Sequence, residues 1–248
     1  MYFIYLGGKD NYPEEFFNIF HALRGDRVYV EPFLGFGAVA KCMSNPRILS
    51  DVNKSLVELI RALRDDIDLP IEVTKDEYLR LAKTSPSAVK GWVGFVFSSQ
   101  SRFFNGFFPP KSSVVENYLL RYQREMKALL GAELLSTSYK KLEIPNNSLV
   151  YCDPPYVGTV EYKQTPKFDF FNFWHEWVPD QASKNLVLVS EFFAPMGFYA
   201  IWRMMKKSLK GLRYDNLFVH ESQYEQVCGI LRNVGIQPCA DPLFCTQR

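Results

Sequence analysis

The sequence predicts an α/β fold, a parallel doubly wound sheet interrupted by a helical insert, and three observations carry that expectation. Short apolar runs rich in Val, Tyr, Ile and Leu recur at 27–33, 47–50, 149–152 and 185–190, and the first three run into an acid or a proline. Segments with helical spacing separate them, the order that a parallel sheet with crossover helices produces. The pattern then breaks between Asp65 and Pro145, where the chain turns more polar and mainly helical. Residues 1–64 and 146–248 thus form the two parts of one α/β domain, with 65–145 as the insert.

The first strand spans 27–33 and leads through Leu34-Gly35-Phe36-Gly37 into a helical stretch that ends near Met43. A second strand, 47–50, closes on Asp51, and 55–64 places apolar residues at helical spacing. Within the insert, 75–83 and 114–130 read as helices, with an irregular Gly/Ser/Phe-rich section between them. Strand character resumes at Leu149 and again at 185–190.

Bulk properties set limits. A chain of 248 residues buries a large core, and 47% hydrophobic with 23% charged residues is globular composition. The net charge of +2 does not by itself point to nucleic acid, so any basic face must come from uneven distribution. Five cysteines without a Cys-x-x-Cys pair, and no secretory signal, read as reduced thiols of a cytoplasmic protein. No apolar stretch approaches membrane-spanning length. His21, His175 and His220 lack ligand spacing, so the sequence points to no metal and to surface or capping histidines.

The most informative segment is Asn147 to Tyr156. Leu149-Val150-Tyr151-Cys152 fits a buried strand, and Pro154 and Pro155 cannot donate to a sheet ladder, so the strand stops at Asp153. The Asp153 carboxylate and Tyr156 ring are thereby held at a strand's carboxyl end, where open α/β sheets place ligands. A hydrogen-bond acceptor beside a flat ring suits a planar, amine-bearing group such as a nucleobase. Glu31-Pro32-Phe33-Leu34-Gly35-Phe36-Gly37 puts two glycines directly after a strand, where the backbone can turn sharply and approach a ligand. Asp51-Val52-Asn53 ends the next strand, about where an acid meets ribose hydroxyls, although Asp51 could equally cap a helix. Tyr5-Leu6-Gly7-Gly8-Lys9 could cradle an anion but is no Walker loop.

In this order, the four elements resemble the Dam-type, α-group DNA adenine N6-methyltransferases, and the likeness looks closest to phage-borne members. It extends through Val157-Gly158-Thr159, Phe173-Trp174, Val189-Ser190-Glu191, Gly91-Trp92-Val93-Gly94-Phe95 and Leu217-Phe218-Val219. The resemblance implies a Rossmann-like, S-adenosylmethionine-dependent methyltransferase fold with a helical recognition insert. It assigns Tyr5, Gly7, Gly8, Lys9, Glu31, Pro32, Phe33, Gly35, Gly37, Asp51, Asn53, Ser138, Tyr139 and Asp153 to the cofactor. Asp153, Pro154, Pro155 and Tyr156 form the catalytic tetrad. The recognition hairpin of better-known members has no clear counterpart here.

The resemblance implies that Asp153 and the Pro154 carbonyl accept the hydrogens of an adenine amine while its nitrogen attacks the methyl group. The base is flipped out of double-stranded DNA and stacked on Tyr156. Of the aromatic run Phe168, Phe170, Phe171, Phe173, Trp174 and Trp177, most are expected to pack internally, with one left to wall the base. Gln100, Arg102 and Asn105 of the loop 98–106 suit base edges, and Lys9, Lys111 and Arg121 suit the DNA backbone. The basic stretch 203–213 suits phosphate contacts or an exposed helix face. The protein is expected to act as a monomer or weak dimer. RNA adenine transfer, cytosine N4 transfer and a silent DNA-binding role are the rival readings. Restriction, phage self-protection and regulation look alike in sequence.

Overall fold

The computed structural model describes residues 8–157, 168–208 and 211–239. Seven strands form one sheet in the order β3-β2-β1-β4-β5-β7-β6. The strands are β1 (Tyr29–Glu31), β2 (Arg47–Ser50), β3 (Glu133–Leu135), β4 (Leu149–Cys152), β5 (Leu186–Glu191), β6 (Phe198–Ser208) and β7 (Gly211–His220). The first five run parallel; β7 pairs antiparallel with β5 and with β6. The chain adds β2 and β3 on one side of β1, then returns to add β4 and β5 on the other. The strand order therefore reverses between β1 and β4, the switch point at which α/β sheets bind ligands.

Alternation along the strands separates two cores. Tyr29, Leu49, Leu149, Tyr151, Leu188 and Leu217 face one side, and Val30, Val150, Cys152, Val189 and Phe218 the other. On the first side lie α1 (Glu14–Arg24), α2 (Lys54–Arg64), α4 (Ala88–Val96), α5 (Ser112–Met126) and α8 (Glu221–Asn233), whose apolar faces share one cluster. From the stretch 65–145, Trp92, Val93, Phe95 and Val115 are buried in the same core as α2.

The second side is covered by α6 (Phe170–Asn172), which passes through a π-helical turn (Phe173–Trp177) into α7 (Val178–Ala182). Pro179 has no N–H to continue an α-ladder, and Val178 N–H instead reaches back five residues to the Phe173 carbonyl. Phe173 and Trp174 are buried there, whereas Phe171 is exposed, so the aromatic run packs mainly inward.

Strands 47–50 and 149–152 and helix 55–64 lie where the sequence places them. Four regions differ. The helix expected after Gly37 is only a 3₁₀ turn, Ala40–Cys42, because Pro46 and the start of β2 follow within a few residues. The section between the insert helices contains α4, with α3 (Lys75–Ala82) preceding it behind a Thr74–Glu77 capping box. The glycines that obscure α4 let it pack closely. A β-carbon on Gly91 would lie 2.3 Å from the Ser55 carbonyl, and one on Gly94 would lie 2.4 Å from the Phe103 ring.

The end of 65–145 is not helical: Glu133–Leu135 pairs in parallel with β2, a strand too short to show its alternation. Finally, the basic stretch 203–213 is no helix face but part of the β6–β7 hairpin. Leu217-Phe218-Val219 forms the buried part of β7.

Buried Arg47 fastens this architecture together. It donates to the carbonyls of Ala40, Ala128 and Leu130 and to Asn45 Oδ1 at 2.8–3.1 Å, tying β2 to the end of α5. His220 caps α8 by accepting the Ser222 N–H, while His21 and His175 are exposed. Cys42 is an exposed free thiol, and Cys152 and Cys228 are buried free thiols. Among the described residues, no helix is long and apolar enough to cross a membrane.

Candidate active site at the carboxyl edge of the sheet

Four carboxylates mark the carboxyl edges of four adjacent parallel strands: Asp51 after β2, Glu31 ending β1, Asp153 after β4 and Glu191 ending β5. Asp153 and Glu31 flank the switch point. Lys9, only 4% exposed, places its Nζ 2.7 Å from each Asp153 carboxylate oxygen. Burial pushes the Asp153 carboxyl up from its ordinary range, and the Lys9 ammonium pulls it back. The acid is thus held on a strand end in an ion pair with Lys9, with its side chain still one-fifth exposed.

Glu31 is buried, accepts the Tyr29 hydroxyl at 2.7 Å, and is pushed up to about 8 by desolvation. Gly35 and Gly37 have φ of 52° and 65°, left-handed conformations that favour glycine. The loop they form is fixed from β2: Asp51 accepts the Gly35 N–H at 3.1 Å on one oxygen and the Asn53 N–H at 2.8 Å on the other. Burial raises Asp51 to about 6, and those two bonds oppose the rise. Asp51 is therefore not the cap of α2. That role falls to Asn53, whose Oδ1 accepts the Leu56 N–H.

Phe33 meets Tyr139 at 5.3 Å between ring centroids, within a cluster that includes Phe168, Phe173 and Trp177. Ser138 starts the turn that carries Tyr139. Tyr139, the proposed flank of an adenine ring, is thus 7% exposed among other rings. Gly8 directly precedes Lys9 in the chain, while Tyr5, Gly7, Gly158 and Thr159 lie outside the described residues.

Pro154 is buried and Pro155 exposed. The Tyr156 hydroxyl donates to Asp215 at 2.8 Å, and its ring meets Phe192 edge-on at 4.6 Å. Glu191, fully buried and pushed up to about 7 by desolvation, accepts the N–H groups of Val157 and Phe192, so β5 braces the segment after the tetrad. Tyr12 and Asp215 belong to this surrounding and escape the sequence reading, and Lys206, read there only as part of a phosphate-contacting basic stretch, pairs with Asp215. The only local hint is Asp215 itself, an acid closing the basic Lys206–Arg213 stretch and buried beneath it.

The loop 98–106 is half anchored and half displayed. Phe103 and Phe104 pack against Phe95 and Tyr78, and Tyr78 bonds Ser98 at 2.7 Å. Gln100 and Asn105 are exposed. Arg102 is part-buried, and its Nε has no hydrogen-bond partner among the described residues. Lys111 is exposed just before α5, and Arg121 on that helix is paired with Glu125 at 2.6 Å.

A seven-stranded mixed sheet with helices on both faces and a strand-order switch between β1 and β4 is a Rossmann-like α/β fold. Residues 5–89 match the model of a family described as D12 class N6 adenine-specific DNA methyltransferase. That span contains the Gly8-Lys9 segment, the glycine loop and Asp51, and the Asp153 tetrad lies beyond it. No curated protein matches the sequence. Solved structures with similar chain traces include TrmN from Thermus thermophilus, at 10% identity and TM-score 0.39, covering 82% of this chain and 47% of that one. The chain therefore spans about half the length of TrmN. A putative methylase from Haemophilus influenzae is 12% identical with TM-score 0.38, covering 84% of this chain and 86% of its own. An rRNA methylase from Streptococcus thermophilus is 7% identical with TM-score 0.35, covering 83% and 93% respectively.

Proposed function

We propose that this chain transfers a methyl group from S-adenosylmethionine to the exocyclic N6 of adenine in double-stranded DNA, on a base flipped out of the duplex. One observation carries the reading: the Lys9-paired Asp153 carboxylate follows β4 and the Gly35–Gly37 loop follows β1, the two adjacent strands that flank the switch point. The family match over residues 5–89 supports the same chemistry.

The residues present fit the cofactor. Left-handed Gly35 and Gly37 let the backbone approach a ligand without a β-carbon in the way, and Asp51 retains lone pairs for ribose hydroxyls beyond its two backbone bonds. S-adenosylmethionine supplies a methyl group on a sulfonium, already electrophilic, so the protein's task is positioning.

Asp153 accepts one hydrogen of the target amine and the Pro154 carbonyl the other, which leaves the nitrogen lone pair directed outward. Lys9 opposes the rise that burial causes in the Asp153 pKa and so favours the carboxylate, an acceptor rather than a donor. Flipping costs a few kcal/mol, and stacking on Tyr156 returns about 1–3 kcal/mol. The 98–106 loop reads bases, and Lys111 meets the backbone.

Incubation with methyl-labelled cofactor and either DNA or RNA, followed by nucleoside identification, tests the reading. N6-methyladenine in DNA supports it. Label confined to RNA overturns the substrate, label on cytosine overturns the target, and DNA binding without transfer overturns the activity.

A further inference from the structure

We infer that Asp215 is a positioning residue that orients the Tyr156 ring. The catalytic consequence rests on the function proposed above; the orientation itself does not. Asp215 is 4% exposed, and its carboxylate is filled from three directions. Tyr156 donates to one oxygen at 2.8 Å, Tyr12 donates to the other, and Lys206 lies 3.0 Å away. Lys206 also donates to the Tyr12 hydroxyl at 2.7 Å, which closes the network. A buried carboxylate is costly unless paired and fully hydrogen-bonded, and this one is both.

Topology explains why the acid is there. The β5–β7 pairing ends at Glu191 with Asn216, but the β6–β7 pairing continues through Met204–Asp215 and Lys206–Arg213 to Ser208–Gly211. The hairpin therefore projects beyond the carboxyl edge of β5, the edge that carries the site. Cross-strand partners share a face, so Lys206, Arg213 and Asp215 lie on one side of this ribbon. Asp215 is on the side that meets Tyr156.

A tyrosine used as a stacking platform must be fixed in two angles. Its hydroxyl lies on the Cβ–Cγ axis, so the bond to Asp215 fixes where that axis points. Rotation about the axis is restrained separately by Phe192, whose ring stands at 89° to that of Tyr156. Phe192 is in turn covered by the Arg213 guanidinium at 5.2 Å. The ribbon thus supplies the first restraint through Asp215 and backs the second through Arg213, without needing to touch a base.

The test is a double-mutant cycle with Asp215→Asn and Tyr156→Phe in the full chain. Each single variant should lower kcat/KM for nucleic acid roughly tenfold, the loss expected for a hydrogen bond to a charged acceptor. Cofactor Kd should stay within about twofold, and the double variant should be no worse than either single one. Additive losses, or a fall in thermal stability with unchanged kcat/KM, overturn the proposal. If the wild-type chain transfers methyl to neither DNA nor RNA, the proposed function fails instead. Tyr156 ring resonances in ¹³C-tyrosine protein, assigned with Tyr156→Phe, then decide the positioning role. A shifted resonance in Asp215→Asn supports it, and an unmoved one overturns it.

Discussion

Lys9 and Asp153, separated by 144 positions in sequence, meet as a two-oxygen ion pair with both distances at 2.7 Å. The pair joins the amino-terminal segment to the end of β4, and the ammonium opposes the rise in the Asp153 pKa that burial causes.

A pH dependence follows. Removing the cation in Lys9→Gln leaves desolvation unopposed, which raises the Asp153 pKa further. The acidic limb of the kcat profile should move to higher pH, with activity recovering as pH rises. Asp153→Ala should nearly abolish transfer at every pH while cofactor binding survives. Transfer rates across pH 5–9 check both, and an unmoved acidic limb in Lys9→Gln argues against the pairing as a control of charge.

The glycine loop gives a second expectation. Gly35 has φ of 52° and donates its N–H to Asp51, so a branched residue there is strained and displaces the loop that approaches the cofactor. Gly35→Val should remain folded and lose at least roughly tenfold in cofactor affinity, a strain of about 1–3 kcal/mol. Calorimetric titration measures it, and wild-type affinity in a folded variant removes the loop from the cofactor site.

Glu31 predicts how stability varies with pH. Its folded carboxyl is pushed up to about 8 from an ordinary 4.5, so between those values the folded state binds more protons than the unfolded state. Stability therefore falls as pH rises through that window, by an amount on the order of a few kcal/mol. Glu31→Gln cannot ionise and keeps an acceptor for Tyr29. Its melting temperature should exceed that of the wild-type chain at pH 9 and converge with it near pH 4. Parallel melting curves for the two proteins would show that Glu31 carries no such penalty.

Legibility in the sequence followed the range of the forces involved. Asp153 could be read because two prolines end its strand, and Gly35 because a strand precedes it; both are local constraints. The spacing of Phe16, Ile19, Phe20 and Leu23 is a local signal of the same kind for α1. The helix α4 was obscured because Gly91 and Gly94 lower helix propensity in exchange for close contact with Ser55 and Phe103. Nothing local announces Asp215 as a partner of Tyr12 and Tyr156, 203 and 59 positions away. Such a network exists only once the β6–β7 hairpin stands beside the site.

The loop 98–106 carries the last prediction, that sequence choice is set there. Three of its non-glycine residues, Gln100, Ser101 and Phe104, hold left-handed φ between 50° and 56°, a strain that ordinary surface turns relieve with glycine. Anchoring of Phe103 and Phe104 in the core sustains it and leaves Gln100 and Asn105 on display. Replacing Gln100, Arg102 or Asn105 by Ala should therefore cost about 1–3 kcal/mol at one base position and relax preference there. Lys111→Ala should instead weaken binding to every sequence alike and reduce the salt slope by about one. Gln100→Gly separates strain from contact: it should gain up to about 1 kcal/mol of stability while losing selectivity. Methylation of single-base variants of the preferred site, with binding measured across salt concentrations, distinguishes these outcomes. An unchanged preference profile after substitution of the whole loop would make the loop structural and move recognition to another part of the surface.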